Sequence, residues 1–212
     1  MASKRVKSRR KRQLVPVVLG LLAVAAAPVI PAEPPSQVYA CLGCHSLDGV
    51  SYNPNVPTIS GASVFYLENQ LLLFQGVDRP CVGEIYATIP GAPAADHCAL
   101  VADLSEEDIA VIATHFSGQT FKPADQTVDA DKAEAGEAIF QRSCARCHTE
   151  GGSNPDDEAG IVAGQWEPYL VRALTDLRDE RRLQPKGMAW ETQKLSDADI
   201  EALAAFFASQ GQ

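Results

Sequence analysis

Two short clusters in this 212-residue chain combine residues able to do chemistry: "CLGCH" at 41–45 and "CARCH" at 144–148. Between them they take four of the six cysteines and two of the four histidines. Two thiols separated by two residues, with an imidazole directly after, admit three chemistries. They can cycle as a dithiol/disulfide pair, supply part of a zinc site, or form two thioethers to the vinyl groups on one edge of a porphyrin while the histidine ligates its iron. C-x-x-C-H is the attachment pattern for c-type haem.

The surroundings favour the third reading. A thioredoxin-like pair belongs in a βαβ context, and no strand pattern is present. A shared zinc site would not explain why each cluster is followed, in register, by an aromatic- and leucine-rich helix and a capped closing helix. Covalent haem at Cys41, Cys44 and His45, and again at Cys144, Cys147 and His148, accounts for all of these together.

The elements that must position these residues come as a duplication. The second cluster lies 103 positions after the first, and the offset persists: "TISGASVFYLENQLLLFQGVDR" from Thr58 aligns with "IVAGQWEPYLVRALTDLRDERR" from Ile161. Gly61 meets Gly164, Tyr66 meets Tyr169, Leu67 meets Leu170, Leu71 meets Leu174 and Arg79 meets Arg182. "LSEEDIAVIATHF" from Leu104 matches "LSDADIEALAAFF" from Leu195 at an offset of 91, so the first copy carries twelve additional residues between Arg79 and His97. Three- and four-residue steps at Tyr66, Leu67, Leu71 and Phe74, and at Tyr169, Leu170, Leu174 and Leu177, predict amphipathic helices. Ser105 and Ser196 are expected N-caps, with Asp108 and Asp199 in capping-box positions. Ile109, Ile112, Ala113 and Phe116, and then Ile200, Leu203, Ala204 and Phe207, should form the buried faces of the closing helices. The expected fold is all-α, with modules at 36–121 and 129–212 joined by an aperiodic linker at 122–128 containing Pro123. Modules this small have modest apolar inventories, and a large buried cofactor would supply part of each core.

Residues 1–32 differ from the remainder. Seven basic residues between Lys4 and Arg12 precede an apolar run from Leu14 to Ile30 and small residues at Ala25, Ala26, Ala27 and Ala32, the pattern of a secretory signal peptide. A Sec-type signal is preferred over a twin-arginine one, because haem attached outside the membrane requires export unfolded. A retained membrane anchor is the competing reading, weakened by Pro16, Pro28 and a run of barely spanning length. The 18 basic and 27 acidic residues give the whole chain a net charge of −9. All acidic residues follow the signal, so without it 11 basic residues face 27 acidic ones. Nucleic acid would be repelled. Solubility, or steering toward a positively charged protein, is what such a surface serves. A periplasmic location is expected.

On the two C-x-x-C-H sites, the Gly-x4-Tyr-Leu signatures at Gly61 and Gly164, the "FQGVDR" segment and the Leu-Ser starts of the final helices, residues 36–210 resemble the cytochrome c4 family. That resemblance implies two tandem class I cytochrome c domains, each with one covalent haem c and its iron. Related modules serve as cytochrome subunits of flavocytochrome c sulfide dehydrogenases and as electron acceptors of thiosulfate dehydrogenases. In such domains a second axial ligand, usually a methionine sulfur, completes the iron. Beyond Met1 the only methionine is Met188, seven residues before Leu195, and seven residues before Leu104 stands His97. The resemblance therefore implies His45/His97 and His148/Met188 ligation. His115, aligned with Phe206, is the competitor of His97 and is otherwise a half-buried structural residue. By the same resemblance the Pro57 carbonyl accepts from the proximal histidine, where the second module has Gly160. Arg79 and Arg182 are candidates to pair with haem propionates, or else exposed arginines; Tyr66 and Tyr169 touch porphyrin or pack between helices. Pro34 and Pro35 should cut short the helix leading into the first site, which "DKAEAGEAIFQRSC" keeps in the second.

Cys81 and Cys98 bracket the additional loop. In an exported chain their leading reading is a disulfide, which pins the His97 segment; the alternative is a thiolate ligand or a thiol reacting with a sulfur substrate. Two six-coordinate irons leave no substrate position. The expected function is electron transfer from a donor dehydrogenase or flavoprotein, through a lower-potential bis-histidine first haem and a His/Met second haem, to an acceptor cytochrome or terminal oxidase. The rival is a haem enzyme, or enzyme subunit, oxidising thiosulfate or sulfide.

Overall fold

Residues 33–81 and 96–211 are described in the computed structural model. The expected signal peptide or anchor at 1–32 and most of the additional loop lie outside these residues. No helix among the described residues is long and apolar enough to cross a membrane.

The helical periodicities produce, in chain order, α1 (Leu42–His45), α2 (Val64–Gln75), α3 (His97–Val101), α4 (Glu106–Ser117), α5 (Ala130–Ser143), α6 (Glu167–Arg178), α7 (Lys186–Thr192) and α8 (Asp197–Ser209). Short 3-10 turns lie at Ser36–Val38, Glu150–Gly152 and Pro155–Asp157. The described residues contain no strand. Both closing helices start with complete capping boxes. Ser105 Oγ accepts the Asp108 N–H at 3.1 Å while the Asp108 carboxylate accepts the Ser105 N–H at 3.1 Å. Ser196 and Asp199 repeat the exchange at 3.2 and 2.9 Å. Each box satisfies two otherwise unpaired terminal donors.

In the first module α2 packs on α4, and the core is Val38, Ala62, Leu67, Ile112, Ala113 and Phe116. Pro35 precedes only a three-residue 3-10 turn, and Val38 at its end is fully buried against α4. In the second module the full-length α5 crosses α8 closely enough that a Cβ on Gly136 would collide with the Ala202 carbonyl. Phe140, Phe206 and Phe207 cluster there, with Phe140 4.8 Å from Phe206 between ring centroids. Burying such side chains contributes about 1.5 to 3 kcal/mol each.

The paired glycine signatures have a backbone cause. Gly61 and Gly164 both adopt φ of +72°, a region costly for residues with a Cβ. That conformation lets Gly61 N–H donate to the Phe116 carbonyl at 3.0 Å and Gly164 N–H to the Phe207 carbonyl at 2.7 Å, tying the loop after each C-x-x-C-H cluster to its closing helix.

Residues 33–212 form one compact unit. The 122–128 segment has no regular structure, yet it is fastened to the second module: Ala124 N–H donates to Gly164 O at 2.7 Å, and Gln126 bonds Gln165 O and Glu167 N–H. The first module's loop at 51–58 lies along the start of α6. Tyr169 N–H donates to Pro54 O at 3.1 Å, Trp166 Nε1 to Ser51 O at 3.0 Å and Arg172 to Asn55 O at 2.7 Å.

Candidate haem centres

Helix α1 is a single turn, and it ends at His45, which carries its imidazole inward. His45 is 7% exposed, and its Nδ1 lies 3.0 Å from the Pro57 carbonyl. A carbonyl only accepts, so Nδ1 is the protonated nitrogen and Nε2 is left free as a ligand. Burial, followed by the nearby His97, pushes the His45 pKa down to about 3. The ring is neutral, as a metal ligand must be.

Facing it, His97 opens α3. The two ring centroids are 6.2 Å apart, with planes inclined by 59°. His97 Nδ1 is buried and has no hydrogen-bond partner among the described residues. Burial and then Arg79 lower the His97 pKa to about 4, so this ring too is neutral. Phe74 stacks on His97 at 4.5 Å, nearly parallel, and the Arg79 guanidinium lies 4.4 Å from the Phe74 ring centroid. A metal between two imidazoles needs two bonds of about 2 Å, each followed by roughly 1 Å to the ring centre, which totals about 6 Å. The observed spacing and the orphaned buried nitrogen fit an iron held between these rings.

The other candidate, His115, is bonded elsewhere. Its Nε2 lies 3.0 Å from the Leu47 carbonyl, on the half-buried flank of α4.

The surroundings of Cys41, Cys44 and Cys144 do not favour the dithiol alternative. Burial raises the Cys41 pKa to about 11 and lifts that of Cys44. Burial, and then Glu191, raises Cys144 to about 11. A redox-active pair needs a depressed thiol pKa. Zinc fares no better. Among the described residues the only three His, Cys, Asp or Glu ligand atoms within 4.8 Å of one another belong to Cys81, Asp96 and Cys98. There the Cys81 and Cys98 sulfurs are at bonding distance, with Cα atoms 5.5 Å apart as in a disulfide. Asp96 caps α3 by accepting from Cys98 and Ala99 N–H, so the pair lies at the root of the helix that presents His97.

Around the first site is a cavity of about 190 Å³, lined by Cys41, Cys44, His45, His97 and apolar residues of α2 and α4. Its far wall belongs to the second module. Tyr169, Arg172 and Arg182 line it together with Arg79 and Tyr66. Arg182 donates to Gln70 Oε1 at 2.5 Å and lies 3.4 Å from the Tyr66 hydroxyl. Burial alone would raise the Tyr169 pKa, but Arg79, Arg182 and Arg172 outweigh it and hold the phenol below its ordinary value. Arg79 and Arg182 are thus half-buried at one cavity rather than exposed.

In the second module His148 is half-buried and its pKa is lowered, first by burial. The loop after it is closed by Asp157, which accepts from Thr149 N–H and from its hydroxyl. Met188 is half-buried on α7, the element equivalent to α3. Gly160 replaces Pro57, and a Cβ there would strike the Tyr66 hydroxyl at 2.6 Å. Gln70, Phe74, Gln165 and Arg172 are site neighbours that motif reasoning passed over. Gln165 did carry a signal, because a polar residue there faces Ala62 in the other copy.

A family model described as cytochrome c oxidase, cbb3-type, subunit III matches residues 131–207. Cytochrome c4 of Stutzerimonas stutzeri is 30% identical over 203 residues, covering 90% of this chain and 93% of that protein. Cytochrome c4 of Azotobacter vinelandii is 27% identical with the same coverage. The crystal structure of reduced recombinant cytochrome c4 from Pseudomonas stutzeri superposes with a TM-score of 0.66 at 28% identity, covering 82% of this chain and 95% of that one. With two C-x-x-C-H modules packed as one all-helical unit, the chain belongs to the cytochrome c4 family of electron-transferring dihaem c-type cytochromes, built from two class I cytochrome c domains.

Proposed function

We propose that this chain is a periplasmic electron shuttle with unequal haem sites, exported by residues 1–32 as a signal peptide. Cys41 and Cys44 would anchor a first haem by thioethers, and His45 and His97 would supply the ligands to its iron. Cys144, Cys147, His148 and Met188 would do the same for the second. Each haem, when bound, supplies a one-electron iron couple. The chain's own groups then set what that couple can do. With both histidines, or histidine and methionine, engaged, no position would remain for a substrate, and the apolar lining of the cavity would exclude water, favouring electron transfer over bond chemistry. An axial methionine raises haem potential relative to a histidine, which makes the His97 side the lower-potential one.

Arg79 and Arg182 are placed to hold propionates, with Tyr66 and Tyr169 walling the same edge. The modules at 36–121 and 129–212 would pass an electron from a donor dehydrogenase or flavoprotein, through the His97 side and out by the Met188 side, to an acceptor cytochrome or oxidase. The rival sulfur-oxidising reading is weakened because the proximity of Cys81 and Cys98 removes the free thiol it uses.

The observation that carries this reading is the 6.2 Å separation of the His45 and His97 rings across the cavity. Redox titration with magnetic circular dichroism identification of the ligands tests it. One bis-histidine haem at lower potential and one histidine–methionine haem at higher potential is the expected result. Two methionine-ligated haems, or carbon monoxide binding at the first reduced haem, would overturn it.

A further inference from the structure

We infer that Gln165, in the second module, is a positioning residue for His45 in the first, acting through one shared peptide group. The inference rests on the reading of His45 as the proximal ligand. Pro57 C=O and Thr58 N–H belong to the same peptide unit. Its carbonyl accepts the His45 Nδ1 proton at 3.0 Å. Its N–H donates to Gln165 Oε1 at 3.0 Å. The chain of contacts therefore runs from the Gln165 amide, across the module boundary, through a single peptide group to the imidazole.

Gln165 is built to hold that unit still. It is 3% exposed, and its Nε2 donates to Thr58 O at 2.6 Å and to Ile161 O at 3.0 Å, using both amide hydrogens. Its own carbonyl accepts from Gln126 Nε2 at 2.7 Å. Hydrogen bonds in series polarise one another, so a peptide whose N–H is engaged presents a better acceptor at its C=O. A better acceptor draws the Nδ1 proton and raises the basicity of the ring toward its metal. More basic histidine favours the oxidised iron, so Gln165 lowers the potential of the first haem.

The relay runs one way. At the equivalent positions the first module offers Ala62, which has no amide to return, and the second has Gly160 in place of Pro57. Among the described residues the His148 ring makes no bond to Gly160. The second module thus tunes the first without reciprocation, and the inequality of the two sites is enlarged by docking as well as by ligand choice.

The test uses the full dihaem protein carrying Gln165→Met or Gln165→Glu. The methionine side chain fills similar space but removes the acceptor; the carboxylate, in mildly alkaline buffer, keeps an acceptor and adds charge. Gln165→Met is expected to raise the reduced-to-oxidised ratio of the first haem at fixed potential by up to about tenfold, which is 59 mV for one electron. Gln165→Glu is expected to lower it, and the His45 Nδ1–H proton resonance should move in opposite directions in the two variants. The second haem should be unmoved. Shifts of the same sign in both variants would mean simple loosening of the interface, and no shift in either with His45 ligation intact would also overturn the relay. Failure of the underlying reading looks different, since wild-type spectra would then lack the bis-histidine signature altogether.

Discussion

Arg79 and Arg182, which the duplication places at equivalent positions in the two modules, converge on one atom, the Oε1 of Gln70, at 2.8 and 2.5 Å. Two cations sharing one neutral acceptor, with Arg172 lining the same cavity, make a pocket that is short of negative charge. Burial and then the proximity of Arg182 lower the Arg79 pKa, whereas at Arg182 burial is outweighed by the phenols of Tyr66 and Tyr169, which raise it. Carboxylates entering the cavity would be bound strongly, as charge-assisted bonds to forked guanidinium groups.

Arg182 lines the cavity of the first module although it belongs to the second, which predicts an electrostatic influence on the first haem. A fixed cation beside an iron favours the reduced state. Arg182→Gln should therefore lower the first-haem potential by an amount corresponding to about 1 to 2 kcal/mol at an effective dielectric near 20. The second haem should change less. Spectroelectrochemistry resolving the two haems provides the measurement.

The duplication, the helix faces and the capping boxes were legible because each is a local pattern: Ile109, Ile112, Ala113 and Phe116 are buried as their spacing requires. The C-x-x-C-H sites were legible because their chemistry fixes residue type and order. What the sequence hid is that residues of the second copy line the cavity of the first. Tyr169 and Arg182 align with residues of the first module, so periodicity places them symmetrically. Docking instead turns both toward the first cavity. Nothing local encodes that contact, and Gln165 betrays it only as a break in the repeat.

The Cys81–Cys98 pair closes a span of 17 residues at the base of α3. Constraining a loop of that size should stabilise the fold by about 3 kcal/mol. A Cys81→Ser/Cys98→Ser double variant is expected to lose about that much in denaturant melts of the haem-loaded protein. Module 2, whose core contains neither residue, should melt unchanged when followed by its own haem absorbance.

Two glycines separate backbone need from mere presence. At Gly164 the φ is +72° and an added Cβ would lie 2.9 Å from Pro123 and 3.0 Å from the Gln210 carbonyl. Gly164→Ala should cost about 1 to 3 kcal/mol. At Gly187, on α7 beside Met188, nothing lies within 4 Å of an added Cβ. Gly187→Ala should stabilise by about 0.4 to 1 kcal/mol, since alanine has fewer unfolded states to lose. Thermal melts of both variants check the opposite signs.

His97 and His115 offer the sharpest contrast within one module. His97 faces His45 across 6.2 Å and has a buried, unpaired nitrogen; His115 already has the Leu47 carbonyl as its partner. His97→Ala should leave the haem attached through Cys41 and Cys44 but open one coordination position, so the reduced first haem should bind carbon monoxide. His97→Met should keep six ligands, resist carbon monoxide and raise the potential toward that of the second haem. His115→Ala should do neither, costing only the net value of one side-chain hydrogen bond, about 0.5 to 1.5 kcal/mol. Carbon monoxide difference spectra on the three variants separate them. If His115→Ala, rather than His97→Ala, created the binding position, the iron ligand would come from the closing helix α4 instead of α3.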